Sequence, residues 1–295
     1  MRGGTRQLAL VLLGLQAAAA QALPLWELTG TSNRIMVLGS IHLLRAGDYP
    51  LAPAITAALD QADVVLMEID MDDLDPIASA GTIATLARDG NGRQLPELLG
   101  PEVWRKASAE ARTLGLDLTP MTPFEPWYAA VMVTQLRLAQ LGFDPSLGVD
   151  SRLAADAARK GKEIRGLETL ESQLGTLDGL SEKAQRQFLQ STLDEAGEVG
   201  DMADDMIKAW KTGDVDALDE DMLDSVREQP EVYRALIVRR NENFAKAIGN
   251  LVDRQDDYLV IVGALHLVGP DSVLRMLGRK GIATRQIKGG PAGAD

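Results

Sequence analysis

Apolar positions along this chain keep two rhythms. Short continuous runs rich in Val, Ile and Leu occupy about 34–39, 64–69, 163–167 and 258–263, with a further one at 282–287. Runs of that length between turn-forming residues predict strands, and continuous rather than alternating hydrophobicity predicts burial on both faces. Between the runs the apolar spacing widens to three and four residues, the period of a helix. One helix is expected over 52–61 behind Pro53, one over 97–114 ahead of Gly115, and a strongly apolar one from Pro126 to Leu141, stopped by Gly142. Asp150 or Ser151 is expected to cap the next, which ends at Gly161. Ser181 opens a helix-rich stretch to about 228, and a long helix spans roughly 231–253. Strands alternating with helices at both ends predict an α/β fold with a mainly parallel central sheet, and about 181–228 reads as a helical insertion or cap.

The two ends follow neither rhythm. Arg2 and Arg6 precede an apolar stretch from Leu8 to about Leu15, and Ala20-Gln21-Ala22 fits a small-residue cleavage site. Residues 1–22 are therefore expected to be a secretory signal peptide, 23–288 a single domain, and 289–295 a flexible tail. The apolar core is short for a membrane span, so the mature chain is expected to be periplasmic or secreted, with no stable membrane insertion.

Composition narrows the chemistry. There is no cysteine, which excludes disulfides, cysteine-based zinc sites and thiol nucleophiles. A formal charge of −13 disfavours nucleic acid or an anionic membrane as partner and favours a peptide, a small molecule or a cation. The acidic stretch from Asp194 to Asp224 fails as a calcium loop. Read as an EF-hand from Asp214, it has Asp219 where the turn needs Gly and Ser225 where the bidentate Glu belongs. Solvated helix faces account for it better.

The chain has only two histidines, and each ends the same motif: "GSIH" at 39–42 and "GALH" at 263–266. Each motif closes an apolar run. In open α/β sheets ligand sites form beyond the carboxyl ends of the strands. The four clearest strands there run into His42, Glu68, Glu168 and His266, so two imidazoles and two carboxylates are expected on one rim. Gly39 and Gly263 would allow a sharp turn or a close backbone approach. The stripe of the long helix, Tyr233, Leu236, Ile237, Phe244, Ala247, Ile248 and Leu251, also takes in Arg240 and Asn241, while Arg239 lies off it. A buried arginine needs an anionic partner, which Glu68 or Glu168 could supply.

The paired motifs, the stretch "YPLAPAITAALDQADVVLMEID" and the later "RRN" resemble the TraB/PrgY/GumN family, closest to its exported GumN-type members. That family is related to the Tiki metalloproteases and, more distantly, to erythromycin-esterase-like and ChaN-like haem-binding proteins. The resemblance implies a metal-dependent hydrolase or protease, with His42, His266 and Glu68 at the metal and Arg240 close by.

Two histidines with one or two carboxylates form an N/O donor set suited to a divalent Zn, Mn, Co or Fe ion, short of a full shell so that water can bind. The remaining glutamate, Glu168, could act as base and Arg240 could orient it or stabilise an oxyanion. Two rivals stand beside this expectation. One is a metal-free esterase in which His42 activates water; no G-x-S-x-G elbow is present for a serine mechanism. The other is a haem- or peptide-binding protein without catalysis, its axial ligands drawn from His42, His266 or Tyr49.

Overall fold

The computed structural model describes residues 22–70 and 73–289. The strands are β1 (Ala22–Thr29), β2 (Ile35–Ser40), β3 (Val64–Met67), β4 (Glu163–Gly166), β5 (Tyr258–Gly263) and β6 (Ala283–Lys288). They form one sheet in the order β4-β3-β5-β2-β1-β6. β4, β3, β5 and β2 pair in parallel, and β1 runs antiparallel to both β2 and β6. The fold is α/β with a mainly parallel sheet flanked by helices, as the alternation of rhythms implies.

Alternate residues of each central strand face opposite layers, so β2 and β5 need apolar side chains throughout. Met36, Leu38, Leu259 and Ile261 pack on one face with Leu153 and Trp210, which come from helices Val149–Arg159 and Val199–Thr212. Ile35, Val37, Val260 and Val262 pack on the other with Phe244, Ile248 and Leu277. A separate apolar cluster joins helices Pro101–Thr113, Pro126–Gln140 and Glu182–Glu195 through Ala111, Val133 and Leu189. The helical layer therefore draws on residues ahead of 181 as well as on 181–228.

Several local expectations change. Strand β1 and helix Pro76–Leu86 were not foreseen. Pro24 makes β1 read as a break, yet its pairing with β6 shifts register between Ala22 and Trp26 and its pairing with β2 starts at Leu25, so the missing N–H falls outside the regular ladder. The helix expected over 97–114 is two helices, Leu95–Leu99 and Pro101–Thr113. Gly100 between them has φ +79, and Pro101 is suited to begin a helix rather than continue one. Asp150 lies inside the helix whose cap position is Gly148. The signal-peptide segment falls outside the described residues up to residue 21, and β1 begins at Ala22.

The long helix ends at Gly249 and is not uniform. Arg234–Val238 is a π-helical segment between Pro230–Tyr233 and Arg239–Gly249, with the Arg239 N–H bonded to the Arg234 carbonyl. The wider turn rotates the upstream face. Val232 and Ala235 are buried there, while Tyr233 and Leu236 are only partly so. Downstream, Arg240, Asn241, Phe244 and Ile248 face inward and Arg239 stays exposed. Such segments recur at functional sites because they re-aim side chains without ending the helix.

Candidate functional site

Strand pairing builds the site. β2 and β5 are parallel neighbours with Gly39 opposite Val262 and Ser40 opposite Gly263, so the two Gly-x-x-His motifs leave the sheet side by side. The motif glycines are needed for close approach; neither has positive φ. A Cβ on Gly39 would lie 3.0 Å from Ala264 Cα, and one on Gly263 would lie 3.3 Å from Glu68 Oε1 and 3.5 Å from both His42 Nε2 and His266 Cδ2. Both imidazoles and Glu68 thus meet over one residue without a side chain. β3 and β4 continue their pairing past the strands, where Leu167 N–H donates to the Met67 carbonyl at 2.7 Å and Glu168 N–H to the Glu68 carbonyl at 2.9 Å. That extension sets the two glutamates next to each other.

Arg240 ties the two halves together. Nη2 donates to Glu68 Oε2 and to Glu168 Oε1, both at 2.5 Å, Nε donates to Glu168 Oε1 at 2.9 Å, and Nη1 lies 3.1 Å from His266 Nε2. All five residues singled out from the sequence, His42, Glu68, Glu168, Arg240 and His266, are brought to one rim. Gln173, at the start of the helix after β4, donates to Glu68 Oε2 and to Glu168 Oε1, each at 3.1 Å. Tyr49 is not part of the cluster; its hydroxyl donates to the Leu147 carbonyl at 2.7 Å.

The histidines share a motif and differ in surroundings. His266 is buried beneath Phe244, whose ring meets it edge-on at 5.3 Å. Asn241 Nδ2 donates to the Asp271 carbonyl at 2.8 Å, which turns Oδ1 toward His266 Nδ1 at 2.5 Å. The ring proton therefore sits on Nδ1, and Nε2 offers a lone pair. Burial, with the Arg240 and His42 charges, overcomes the pull of Glu68 and lowers the His266 pKa to about 4. The His42 side chain is 56% exposed, and its Nδ1 lies 3.1 Å from Asp150 Oδ1, within ion-pair distance but off hydrogen-bond alignment. Desolvation in the pocket wall pulls its pKa down, but Asp150 and the charge of Glu68 outweigh it and raise the value to about 9. For Glu68, burial would favour the neutral acid. At the acid pH where it would take up a proton, charged His266, Arg240 and His42 and the Gly263 N–H hold its pKa at about 2. Burial opposes the Arg240 charge, and its two carboxylate partners raise its pKa above the usual value.

These residues fit a divalent ion in donor type and orientation. Each Nδ1 is held by an oxygen acceptor, the second-shell arrangement that directs Nε2 to a metal, and Glu68 Oε1 stands 3.7 Å from His266 Nε2. As the side chains stand, no group of three or more His, Asp or Glu among the described residues encloses an ion. The reason is Arg240, whose Nη1 faces the lone pair of His266 Nε2; occupation requires that nitrogen to withdraw.

Of the residues the sequence left without a role, Asn241 was visible on the buried helix face. Asp150 was visible only as a helix cap, and Gln173 carried no signal at all, since only the packing of its helix brings it to the glutamates.

A parallel sheet with a polar cluster beyond its carboxyl edge defines an α/β protein whose site is assembled by strand ends. Residues 24–286 match the model of the TraB/PrgY/gumN family, and the chain belongs to that family. It is 24% identical over 256 residues to YbaP of Escherichia coli (strain K12), covering 86% of this chain and 92% of that protein, and equally to YbaP of Shigella flexneri. No solved structure matches it.

Proposed function

We propose that the protein is an exported, metal-dependent hydrolase of protease type that acts on a peptide or ester bond. The observation that supports it most is the delivery of both histidines of the chain to one glycine-floored spot, each with Nδ1 held from behind and with Glu68 beside them. A divalent ion held by His42, His266 and Glu68 would supply an ionised water at neutral pH and polarise the substrate carbonyl. Asn241 keeps His266 in the tautomer that offers Nε2. Glu68 is ionised at any physiological pH, and His42 has to give up its proton before Nε2 can act as a ligand. The bonds that Glu168 makes to Arg240 and Gln173 fall on Oε1, which suits the other oxygen to take a proton from an attacking water. Arg240 fixes that carboxylate and, once Nη1 leaves His266, can donate to a developing oxyanion.

The raised pKa of His42 weighs against the metal-free alternative, in which a neutral His42 would be the base at pH 7. The test is metal content and peptide hydrolysis in protein purified without chelator. His42→Ala and His266→Ala are each expected to lower both quantities to a similar degree, and the double variant to be little worse than either, because members of one unit are not additive. Hydrolysis undiminished after exhaustive chelation would pass the role to a histidine-base mechanism.

A further inference from the structure

The space above the polar cluster has a different character. A cavity of about 310 Å³ opens there, walled by Leu138, Phe143, Ala203, Met206, Leu236 and Ile237. The walls come from separate elements: Leu138 from helix Pro126–Gln140, Phe143 from the loop behind it, Ala203 and Met206 from helix Val199–Thr212, and Leu236 and Ile237 from the π-helical segment. The ionisable groups in the lining are His42, Arg240 and His266, all members of the cluster. Ser40 also lines the cavity. It is 3% exposed, and its hydroxyl has no hydrogen-bond partner among the described residues.

The orphan hydroxyl decides what the cavity suits. Apolar walls favour an apolar occupant, because a charged side chain would lose its hydration with no counter-charge in return. A plain hydrocarbon chain would satisfy the walls and leave Ser40 unpaired, and an unpaired buried hydroxyl is costly. A peptide carries both parts: an apolar side chain for the walls and a main-chain N–H or C=O within a few bonds of it for the hydroxyl, which can donate or accept. We infer that this cavity is a subsite for an uncharged, apolar side chain of a peptide, with Ser40 bonding the peptide main chain beside it. The placement of the scissile carbonyl over His42 and His266 rests on the hydrolase proposal; the subsite itself does not.

Binding and cleavage therefore need separate readouts. Blocked peptides acetyl-Ala-X-Ala-amide, with X Leu, Phe, Asp or Lys, are titrated calorimetrically into the full purified protein, and the same set is assayed for cleavage by mass spectrometry. The Leu and Phe peptides are expected to bind at least about tenfold more tightly than the Asp and Lys peptides. Ser40→Ala should weaken the Leu peptide by about fivefold or more while leaving decanamide, an uncharged chain without a peptide backbone, unchanged. Met206→Asp should remove the preference for Leu over Lys. Equal binding of all four peptides overturns the subsite, as does a Ser40→Ala protein that binds the Leu peptide as wild type does, or decanamide binding more tightly than every peptide. Preferential binding with no cleavage upholds the subsite and overturns the hydrolase; cleavage with no preference does the reverse.

Discussion

The two Gly-x-x-His loops begin alike and end in opposite electrostatic states. The loop after β2 presents His42 half to solvent, backed by a carboxylate and held protonated up to about pH 9. The loop after β5 buries His266 between Asn241, Arg240 and Phe244 and holds it neutral down to about pH 4. Strand register delivers both rings to one place, but the elements packed behind each ring decide its charge. A repeated motif therefore fixes position, and its neighbours fix chemistry. For a site that needs one ligand permanently neutral and another that yields its proton on binding, the inequality is useful.

The firmest way to break this comparison is to remove the residue on which the His266 side depends. Arg240 is buried and bonded to Glu68 and Glu168, so Arg240→Ala leaves two carboxylates unpaired in the interior. A loss of roughly 3–5 kcal/mol in stability is expected by denaturant unfolding. Arg239→Ala, one residue away and exposed, should change stability by less than about 0.5 kcal/mol. Similar small changes at both positions would show that Arg240 is not the internal counter-charge that holds the cluster together.

Much of this was legible from spacing and some was not. Burial of Arg240 followed from its place on the apolar stripe, because a period of 3.6 residues holds over the last turns of the helix. The upstream part of that stripe was misjudged, since the π segment rotates it and no residue type announces a π turn. His42, Glu68, Glu168 and His266 were found because continuous apolar runs mark parallel strands and ligands gather at the carboxyl ends of such strands. The glycines were seen, and the reason for Gly39 proved to be the Ala264 backbone pressing on it, a contact between distant segments. Gln173 and Asp150 reach the cluster through packing of whole helices, which local patterns do not encode.

Because the chain has only two histidines, imidazole signals in an NMR titration of the metal-free protein are unambiguous. One should titrate near pH 4 and the other near 9. Stability should follow with opposite signs. His266 has a folded pKa below its ordinary 6.5, so its contribution is present above 6.5 and lost as the pH falls toward 4, a difference of roughly 3 kcal/mol. His42 has a folded pKa above 6.5, so its contribution is complete below 6.5 and lost as the pH rises through about 9. Half exposure and screening make that alkaline loss the smaller one. Two histidines titrating together near 6.5, with stability flat between pH 5 and 9, would erase the distinction between the loops.

A subtler change should make the two loops more alike without moving either ring. Asp150 opposes desolvation of His42 through contact and through charge, and it comes from helix Val149–Arg159, outside the strand pairs that position the imidazole. Asp150→Asn keeps the shape and an oxygen acceptor but removes the charge, so His42 should titrate well below about 9, toward its ordinary 6.5, while the His266 signal stays where it was. Metal affinity at pH 7 then has two opposed terms. Fewer protons compete for Nε2, which favours binding, and the ring loses the anionic partner that makes it a stronger donor, which weakens it. Measured at pH 9.5, where proton competition is nearly absent in both proteins, only the second term remains, and the variant should bind the ion more weakly than wild type by about tenfold, the lower bound for losing a second-shell partner. If the His42 titration does not shift in the variant, Asp150 is a helix residue that happens to lie near the ring, and the unequal charges of the two loops need another cause.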